Sequence, residues 1–298
     1  MLSIRPMTRQ EVSDIAIAWA AAEGWNPGLH DAESFYATDP KGFWVGLLNG
    51  EPIASVSVVV YSPQYAFAGF YMVKPEYRGM GYGAQIGQAV LGRLANHTVG
   101  LDGVVAQQEN YKKAGFRLAY RNIRFEGTVT HTPSGETLSR PHLEGTATQN
   151  PSEAPSLVSA SEVPFDALLT YDTQHFPAQR AGFLRSWIAM PQSMSVVALN
   201  ANRIEGYATI RRCVKGYKIG PLIAHDARTA QKLLQACLNA SEAGETFYLD
   251  VPEPNAAALQ LTNEYNMRMV FETGRMYNGK KPDVPLQKIY GITSFELG

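Results

Sequence analysis

Apolar and polar residues follow one another in the first 130 residues in a pattern that predicts strands and helices in mixed order. Leu2–Pro6 has the pattern of a short strand. Thr8 and Glu11 form a Thr-x-x-Glu capping box, which predicts a helix reaching about Ala22. The glycine- and proline-containing segment 23–28 breaks that helix. Further strands are predicted at 43–48, 53–61, 67–73, 101–106 and 116–126, and further helices at 32–36, 84–95 and 109–114.

The second part of the chain repeats this order of elements after a change in composition. Between residues 131 and 155, Pro, Ser, Thr, Gly and Glu dominate and the apolar periodicity is lost, which indicates a linker. Strands are predicted beyond it at 195–199, 204–210, 216–223, 246–251, 269–277 and 289–295, and helices at 165–190 (in two pieces), 227–240 and 255–265. The repetition indicates duplication of one α/β unit, with domains at 1–130 and 156–298 and a linker at 131–155.

Composition and charge narrow the class of protein. A chain of 298 residues exceeds the usual size of one core, in agreement with two domains. The net charge of -1 and the absence of a basic stripe argue against nucleic-acid binding. Cys213 and Cys237 make neither a disulfide framework nor a zinc motif, so no metal is expected. The first residues do not resemble a signal peptide and no apolar run is long enough for a membrane span, so a soluble cytoplasmic protein is expected, with no membrane partner.

A glycine-rich loop between a predicted strand and a predicted helix is the strongest chemical signal. Glycines at 79, 81 and 83 let backbone N–H groups approach an anion, the helix N-terminus adds partial positive charge, and Arg78 can bind phosphate directly. The spacing does not fit the G-x-G-x-x-G dinucleotide fingerprint, and the Walker A sequence is absent. The remaining match is [Arg/Gln]-x-x-Gly-x-[Gly/Ala]. Turn glycines beside a solvated arginine are the alternative for such a cluster taken alone.

Two motifs in order resemble the GCN5-related N-acetyltransferase (GNAT) superfamily. The stretch 71–83 resembles its pyrophosphate loop, and Asn110-Tyr111-Lys112-Lys113-Ala114-Gly115-Phe116 resembles its Tyr-x-x-x-Gly-Phe ending. The resemblance implies an α/β fold of two GNAT-like domains, each with a mixed, mostly antiparallel central sheet flanked by helices. It also implies acetyl-CoA as co-substrate, bound by Met72, Val73, Arg78, Gly79, Met80, Gly81, Tyr82 and Gly83.

The same resemblance implies roles for individual residues. Tyr111 would protonate the departing thiolate, because a phenol remains protonated at neutral pH; an aromatic side chain that only packs beside Phe116 is the alternative. The N–H of Met72 or Val73 would stabilise the oxyanion. Glu23, in the helix break that faces the acceptor in GNAT folds, is the first candidate for the base; an exposed loop carboxylate is the alternative. Trp25 and Asn26 share that loop and would line the acceptor pocket, unless they serve only loop packing. Gln107 or Gln108 would replace the family's usual asparagine.

The second half resembles a GNAT domain without catalytic parts. His225-Asp226-Ala227-Arg228 contains no phosphate loop, and Asp226 is predicted to be a helix N-cap. Thr262 stands at the tyrosine position of the family's Tyr-x-x-x-Gly-Phe ending. This half is therefore expected to bind no CoA productively, and either to supply a wall of the acceptor site or to bury the open edge of the first domain. Five polar residues could reach a shared cleft or make salt bridges: Asp172, Arg180, Arg211, Arg212 and Arg275.

The expected activity is transfer of an acetyl group from acetyl-CoA to the primary amine of a small molecule by direct attack. A protein or peptide N-acetyltransferase is the alternative among enzymes. A non-catalytic acyl-CoA-binding regulatory protein is the alternative outside them. Either a monomer or a homodimer fits the sequence.

Overall fold

A computed structural model describes residues 1–131 and 155–298. The predicted linker therefore lies outside the described residues, apart from its two ends. The strands are β1 (Leu2–Pro6), β2 (Phe43–Leu48), β3 (Glu51–Ser62), β4 (Tyr65–Val73), β5 (Thr98–Val104), β6 (Arg117–Thr128), β7 (Ser156–Ser159), β8 (Ser193–Asn200), β9 (Arg203–Arg212), β10 (Tyr217–Ala224), β11 (Thr246–Pro252), β12 (Arg268–Tyr277) and β13 (Ile289–Gly291). The helices are α1 (9–22), α2 (Asp31–Thr38), α3 (Tyr82–Leu91), α4 (Gln108–Lys113), α5 (Phe165–Thr173), α6 (Ala181–Ile188), α7 (Ala227–Asn239) and α8 (Ala256–Glu264).

Local side-chain caps account for the helix starts that the sequence predicts. The Thr8 hydroxyl accepts from the Glu11 N–H at 3.3 Å, and the Glu11 carboxylate accepts from the Thr8 N–H at 2.8 Å, so the predicted capping box is confirmed. The Asp226 carboxylate accepts from the Thr229 N–H at 2.8 Å, which confirms the predicted N-cap of α7. Helix α1 widens to π-helical geometry over Val12–Ile17 in its middle.

The strands of both halves form one continuous sheet, in the order β1-β2-β3-β4-β5-β12-β6-β11-β10-β9-β8-β7, with β13 beside β10. Most neighbours are antiparallel; the parallel pairs are β4 with β5 and β10 with β11. The predicted fold class, a mixed and mostly antiparallel sheet flanked by helices, is confirmed. Strand β12 of the second half lies between β5 and β6 of the first, and β6 lies between β12 and β11. Each half thus supplies a strand to the sheet of the other.

The prediction of a strand at 289–295 is wrong beyond Gly291. The Ile292 N–H donates to the Asp250 carbonyl at 2.9 Å, and the chain then leaves the sheet. A turn follows, in which Ser294 accepts from the Leu297 and Gly298 N–H groups through its hydroxyl and carbonyl oxygens. We call residues 292–298 the tail. It runs from the second half onto β4 of the first, where the apolar Phe295 and Leu297 are buried.

The gap between parallel strands is closed in one half and open in the other. In the second half, β13 pairs with β10 through Leu222 and Gly291, and Ile292 bonds to β11, so β13 fills the gap between them. In the first half, the parallel pairing of β4 with β5 stops at Ala68 and Leu101. Among the strands that the structure describes, none lies in this gap beyond Ala68. The first half therefore keeps an open slot at the end of β4.

Different helices cover the two faces of the first half's sheet. On one face, Ile86 and Val90 of α3 pack against residues of β2 to β5. On the other, Phe35 of α2 and Trp187 of α6 stack at 6.1 Å between ring centroids, within a core that includes Met72 and Leu297. We call the second face the acceptor face, because it carries α1 and the loop that follows it.

Candidate active site

The glycine-rich loop has the geometry of an anion cradle. Gly79 and Gly81 adopt φ of 78° and 83°, which favour glycine. Helix α3 begins directly after Gly81 without a side-chain cap. Within the described residues, no backbone carbonyl accepts from the N–H groups of residues 79–84. These N–H groups and the partial positive charge of the helix N-terminus fit a pyrophosphate.

The remaining residues of the loop differ in how firmly they are packed. A Cβ at Gly83 would come 2.8 Å from the Tyr71 hydroxyl and 3.3 Å from Val73 Cγ2, so the start of α3 lies close against side chains of β4. Met80 is 61% exposed at the tip of the loop. Tyr82 packs edge-on against Tyr77, with ring centroids 6.1 Å apart. The loop is thus anchored at its base and open at its tip.

Arg78 joins the loop to the helix break. Its Nε donates to the Val73 carbonyl at 2.9 Å, and its Nη2 forms a hydrogen-bonded ion pair with the Glu23 carboxylate. Both side chains are partly exposed, so a phosphate can reach the guanidinium. The structure therefore brings the two predicted functional residues together, with the carboxylate of Glu23 held by the predicted phosphate ligand.

The open slot beside β4 presents backbone N–H groups. The Lys74 N–H donates to the Ile53 carbonyl of β3 at 2.9 Å. Since successive N–H groups of a strand point to opposite sides, the Val73 N–H faces the slot, whereas the Met72 N–H faces β3. Val73 is half-buried and Met72 buried. The slot-facing N–H of Val73 is thus available to a carbonyl oxygen.

Tyr111 lies on α4 beside the end of β5. A Cβ at Gly103 would come within 2.7 Å of the Tyr111 ring, so this ring packs directly on the backbone of β5. Its ring centroid is 6.4 Å from that of Phe116. Burial, and secondarily the nearby Tyr71, raises the pKa of Tyr111 to about 12. The phenol therefore remains a proton donor throughout the neutral range.

The glutamines before Tyr111 do not share one environment. The Gln107 amide oxygen accepts from the Asn110 side chain at 2.7 Å, at the start of α4. Gln108 instead lies against Gly274 of β12, where a Cβ would come 2.8 Å from its Nε2. Gln107 is therefore tied to α4, and Gln108 to a strand that the second half supplies.

Trp25 and Asn26 attach the helix break to the second half. The Asn26 side chain accepts from the Lys215 N–H at 2.8 Å and donates to the Lys215 carbonyl at 2.9 Å. The Trp25 carbonyl accepts from Arg124 Nη1 and Lys218 Nζ, both at 3.0 Å. Asn26 has a φ of 54°, which asparagine tolerates better than most residues. Contacts with the other half thus hold the loop.

A cleft of about 410 Å³ opens beside this loop, between the two halves. It is lined by Ala21, Glu23, Gly24, Trp25, Asn26, Arg124, Glu126, Val214, Lys215, Tyr248, Val270 and Phe271. Three aromatic side chains and two valines make much of the wall apolar. All three residues predicted for the acceptor side, Glu23, Trp25 and Asn26, line this cleft.

A buried group of charges lies next to the cleft and escapes sequence motifs. Arg124 Nε and Nη2 donate to the two oxygens of Asp250, each at 2.7 Å. Lys218 is 3% exposed, and burial, followed by the charge of Arg124, lowers its pKa. Both cations come from strands predicted by apolar patterning. The local signal in the sequence is a charged residue at a core position of each of these strands.

The five polar residues of the second half form ion pairs. Arg180 pairs with Asp172 at 2.8 Å within that half. Arg211 pairs with Asp31 at 2.8 Å, and Arg275 with Asp102 at 2.7 Å, in both cases across the halves. Arg212 approaches Glu245 at 3.4 Å. Arg211 and Arg275 therefore hold the halves together.

Family models match both halves of the chain. Residues 10–116 match the model described as the acetyltransferase (GNAT) family, and residues 168–291 match the acetyltransferase (GNAT) domain. A relative from Pseudoalteromonas sp. (strain SANK 73390), holothin acyltransferase, is 34% identical over 283 residues, which cover 94% of this chain and 89% of the relative. The chain belongs to the GNAT superfamily. It is a tandem-GNAT protein of an acyltransferase family.

Solved structures share the whole fold. A putative acetyltransferase from Pyrococcus horikoshii superposes with a TM-score of 0.78 at 23% identity, over 100% of this chain and 96% of that one. A tandem GNAT protein from the clavulanic acid biosynthesis pathway gives 0.62 at 13% identity, over 94% and 100%. At sequence identities of 23% and 13%, the similarity shows that the fold is shared and nothing beyond it.

No helix in the ranges 1–131 and 155–298 has the length and apolar character needed to span a membrane. No group of three or more His, Cys, Asp or Glu side chains in the same ranges is arranged to hold a metal ion.

Proposed function

We propose that this chain transfers an acetyl group from acetyl-CoA to the primary amine of a small molecule. The supporting observation is the unpaired N–H groups of residues 79–84 beside Arg78, next to an open slot, in the first half alone. In the second half, Asp226 occupies the helix N-terminus and β13 fills the equivalent slot. One acetyl-CoA per chain is therefore expected.

Each residue of the site has a part in this reaction. Residues 78–83 hold the pyrophosphate, and the Val73 N–H stabilises the oxyanion that forms on the thioester carbonyl. The amine lone pair forms the C–N bond, and the C–S bond breaks with its electron pair on sulfur. Tyr111 gives the thiolate a proton and regains one from solvent. The nitrogen loses its own proton, for which Glu23 is the candidate base from sequence.

The cleft favours a small acceptor. The α1–α2 loop, β6 and the second half border an open cleft of about 410 Å³, a volume that suits a small molecule. The relative is named for acyl transfer to holothin, so holothin is the first acceptor to test. A non-catalytic acyl-CoA-binding protein would have no need of a buried, protonated Tyr111 beside the slot.

Calorimetric titration of acetyl-CoA tests the assignment of the cofactor site. We expect one site per chain, and an affinity about tenfold to a hundredfold lower in Arg78→Ala, because a charge-assisted contact with the pyrophosphate is lost. Arg228→Ala is the matched control, since Arg228 is exposed in the first turn of α7, the counterpart of α3. Its affinity should equal that of the wild type.

Other outcomes would correct the proposal in defined ways. Two sites per chain would mean that the second half also binds acetyl-CoA. Unchanged affinity in Arg78→Ala would remove Arg78 from the cofactor contacts. An absence of binding to the wild type would refute acyl transfer from CoA.

A further inference from the structure

Glu296, in the tail, is a buried carboxylate without a partner. It is 4% exposed, yet within the described residues it forms neither a hydrogen bond nor an ion pair. Its carboxylate oxygens nevertheless keep some accessible surface. An unpaired carboxylate is costly to bury, and such groups in native structures commonly serve a ligand or a reaction.

Three basic side chains, one each from β6, β9 and β10, experience the charge of Glu296, and the charges of the whole group balance. Arg124, Arg211 and Lys218 each experience its negative charge. Arg124 is already neutralised by Asp250, and Arg211 by Asp31. Lys218 has only the Trp25 carbonyl as acceptor. Three cations thus face three carboxylates, and Cys213, whose pKa is raised by burial, remains a neutral thiol.

The tail places Glu296 beside the slot. A Cβ at Gly69 would lie 2.2 Å from the Glu296 carbonyl oxygen, so the two backbones are in direct contact. Gly69 is the first residue of β4 after the pairing with β5 stops. The neighbouring Leu297 packs in one core with Phe70 and Met72 of β4. Glu296 therefore lies on the acceptor face at the position where β4 leaves β5.

Two residues of the cleft wall pack against the tail. The Arg124 guanidinium lines the cleft and lies over the ring of Phe295, 4.6 Å from its centroid. Phe271 also lines the cleft and packs against Phe295, with ring centroids 5.9 Å apart. The cleft wall and the tail are thus in contact one residue before Glu296.

We propose that Glu296 accepts the proton of the acceptor amine, and that this acceptor is a weakly basic, uncharged amine on a planar apolar framework. The inference rests on the proposed acyl transfer. As the nitrogen lone pair forms the C–N bond, one N–H proton passes to the Glu296 carboxylate and later to solvent. A neutral amine suits the site because the buried charges already balance, whereas an ammonium ion would add an uncompensated charge.

The wall of the cleft supports the same class of acceptor. Trp25, Tyr248 and Phe271 offer ring faces, and the two carboxylates of the lining are engaged by arginines, Glu23 by Arg78 and Glu126 by Arg268. No carboxylate among the described lining residues is thus left to attract a cation. Planar apolar molecules gain from stacking on such surfaces.

Steady-state kinetics with three acceptors test the proposal: holothin, aniline, which is neutral at pH 7, and benzylamine, a cation of similar size. We expect transfer to holothin or aniline and little to benzylamine. Glu296→Gln should lower kcat/KM for the amine about 100-fold at neutral pH, the low end of general-base contributions. The acid limb of the wild-type pH profile should disappear in this variant, whereas a purely structural role would scale the profile without changing its shape.

Control variants separate the causes of a loss. Glu242→Gln alters an exposed carboxylate of the same half and should leave kinetics unchanged. Glu296→Asp should keep the acid limb at a reduced rate. Glu296→Gln removes one charge from the balanced group and should lower the thermal midpoint, so its kinetics are measured well below that midpoint. Its acetyl-CoA affinity by calorimetry should be unchanged, which separates proton transfer from misfolding. Glu23→Gln is measured alongside, because Glu23 is the base suggested by sequence.

The failures are distinguishable. If the wild type binds acetyl-CoA but acylates none of the three amines, amine transfer fails and this inference with it. If the wild type is active and Glu296→Gln retains its rate and acid limb, only the role of Glu296 is refuted. The role of Glu296 is also refuted if Glu23→Gln removes the acid limb of the pH profile and Glu296→Gln does not. A preference for benzylamine would overturn the proposed class of acceptor.

Discussion

Gly69→Ala is the most direct test of the contact between the tail and β4. The added Cβ would lie 2.2 Å from the Glu296 carbonyl oxygen and 3.0 Å and 3.1 Å from its carbonyl carbon and Cα. All three are backbone atoms, so no side-chain rotation relieves the clash. The tail must retreat by roughly 1 Å, at a cost typical of overpacking, about 1–3 kcal/mol in the free energy of unfolding.

The retreat should affect catalysis more than stability. A displacement of about 1 Å in a positioned group can reduce turnover about 100-fold, although a chain destabilised by a few kcal/mol stays folded. Urea unfolding measures the change in stability. Steady-state kcat with acetyl-CoA and the acceptor amine measures the change in catalysis. Gly92→Ala is the control, because its φ is -59° and no atom lies within 4 Å of the added Cβ.

Two results would refute this reasoning. Unchanged stability in Gly69→Ala would mean that the tail does not press on β4 as described. A loss of about 1–3 kcal/mol in the free energy of unfolding with unchanged kcat would mean that the tail has only a structural role. Glu296 would then have no catalytic role. Weakened acetyl-CoA binding in place of a lower kcat would point to a disturbed slot.

Two further predictions concern the halves and the acid. Asp31→Ala should lower the free energy of unfolding by about 3–5 kcal/mol, because Arg211, itself 1% exposed, would be buried without its partner. The assay is urea unfolding, and Asp283→Ala, at an exposed position, is the control. A loss below about 1 kcal/mol in Asp31→Ala would contradict the prediction. Tyr111→Phe should bind acetyl-CoA normally and lose about 10²–10⁴ in kcat, and unchanged turnover would remove the acid role. Since the pKa of Tyr111 is raised to about 12, its contribution to stability is complete below pH 10 and lost as the pH rises through 12.

Local patterns in the sequence determined the elements and the glycine-rich loop. Thr8, Glu11 and Asp226 act within four residues of their own position, so the chain order alone reveals the helix starts. Apolar periodicity located the strands for the same reason. The loop 78–83 is equally local, since its glycines and the helix after it are contiguous.

Only the tertiary structure decided how the halves combine and what surrounds the acceptor face. The exchange of β6 and β12 and the filling of the second slot by β13 depend on pairings between distant segments, which no local period encodes. The strand predicted at 289–295 ends early because bonds to Asp250 and packing on β4 outweigh the β-pattern of its residues. Glu296 has no motif around it. Its proposed role arises because folding brings the backbone of this residue, from one half, against Gly69 of the other.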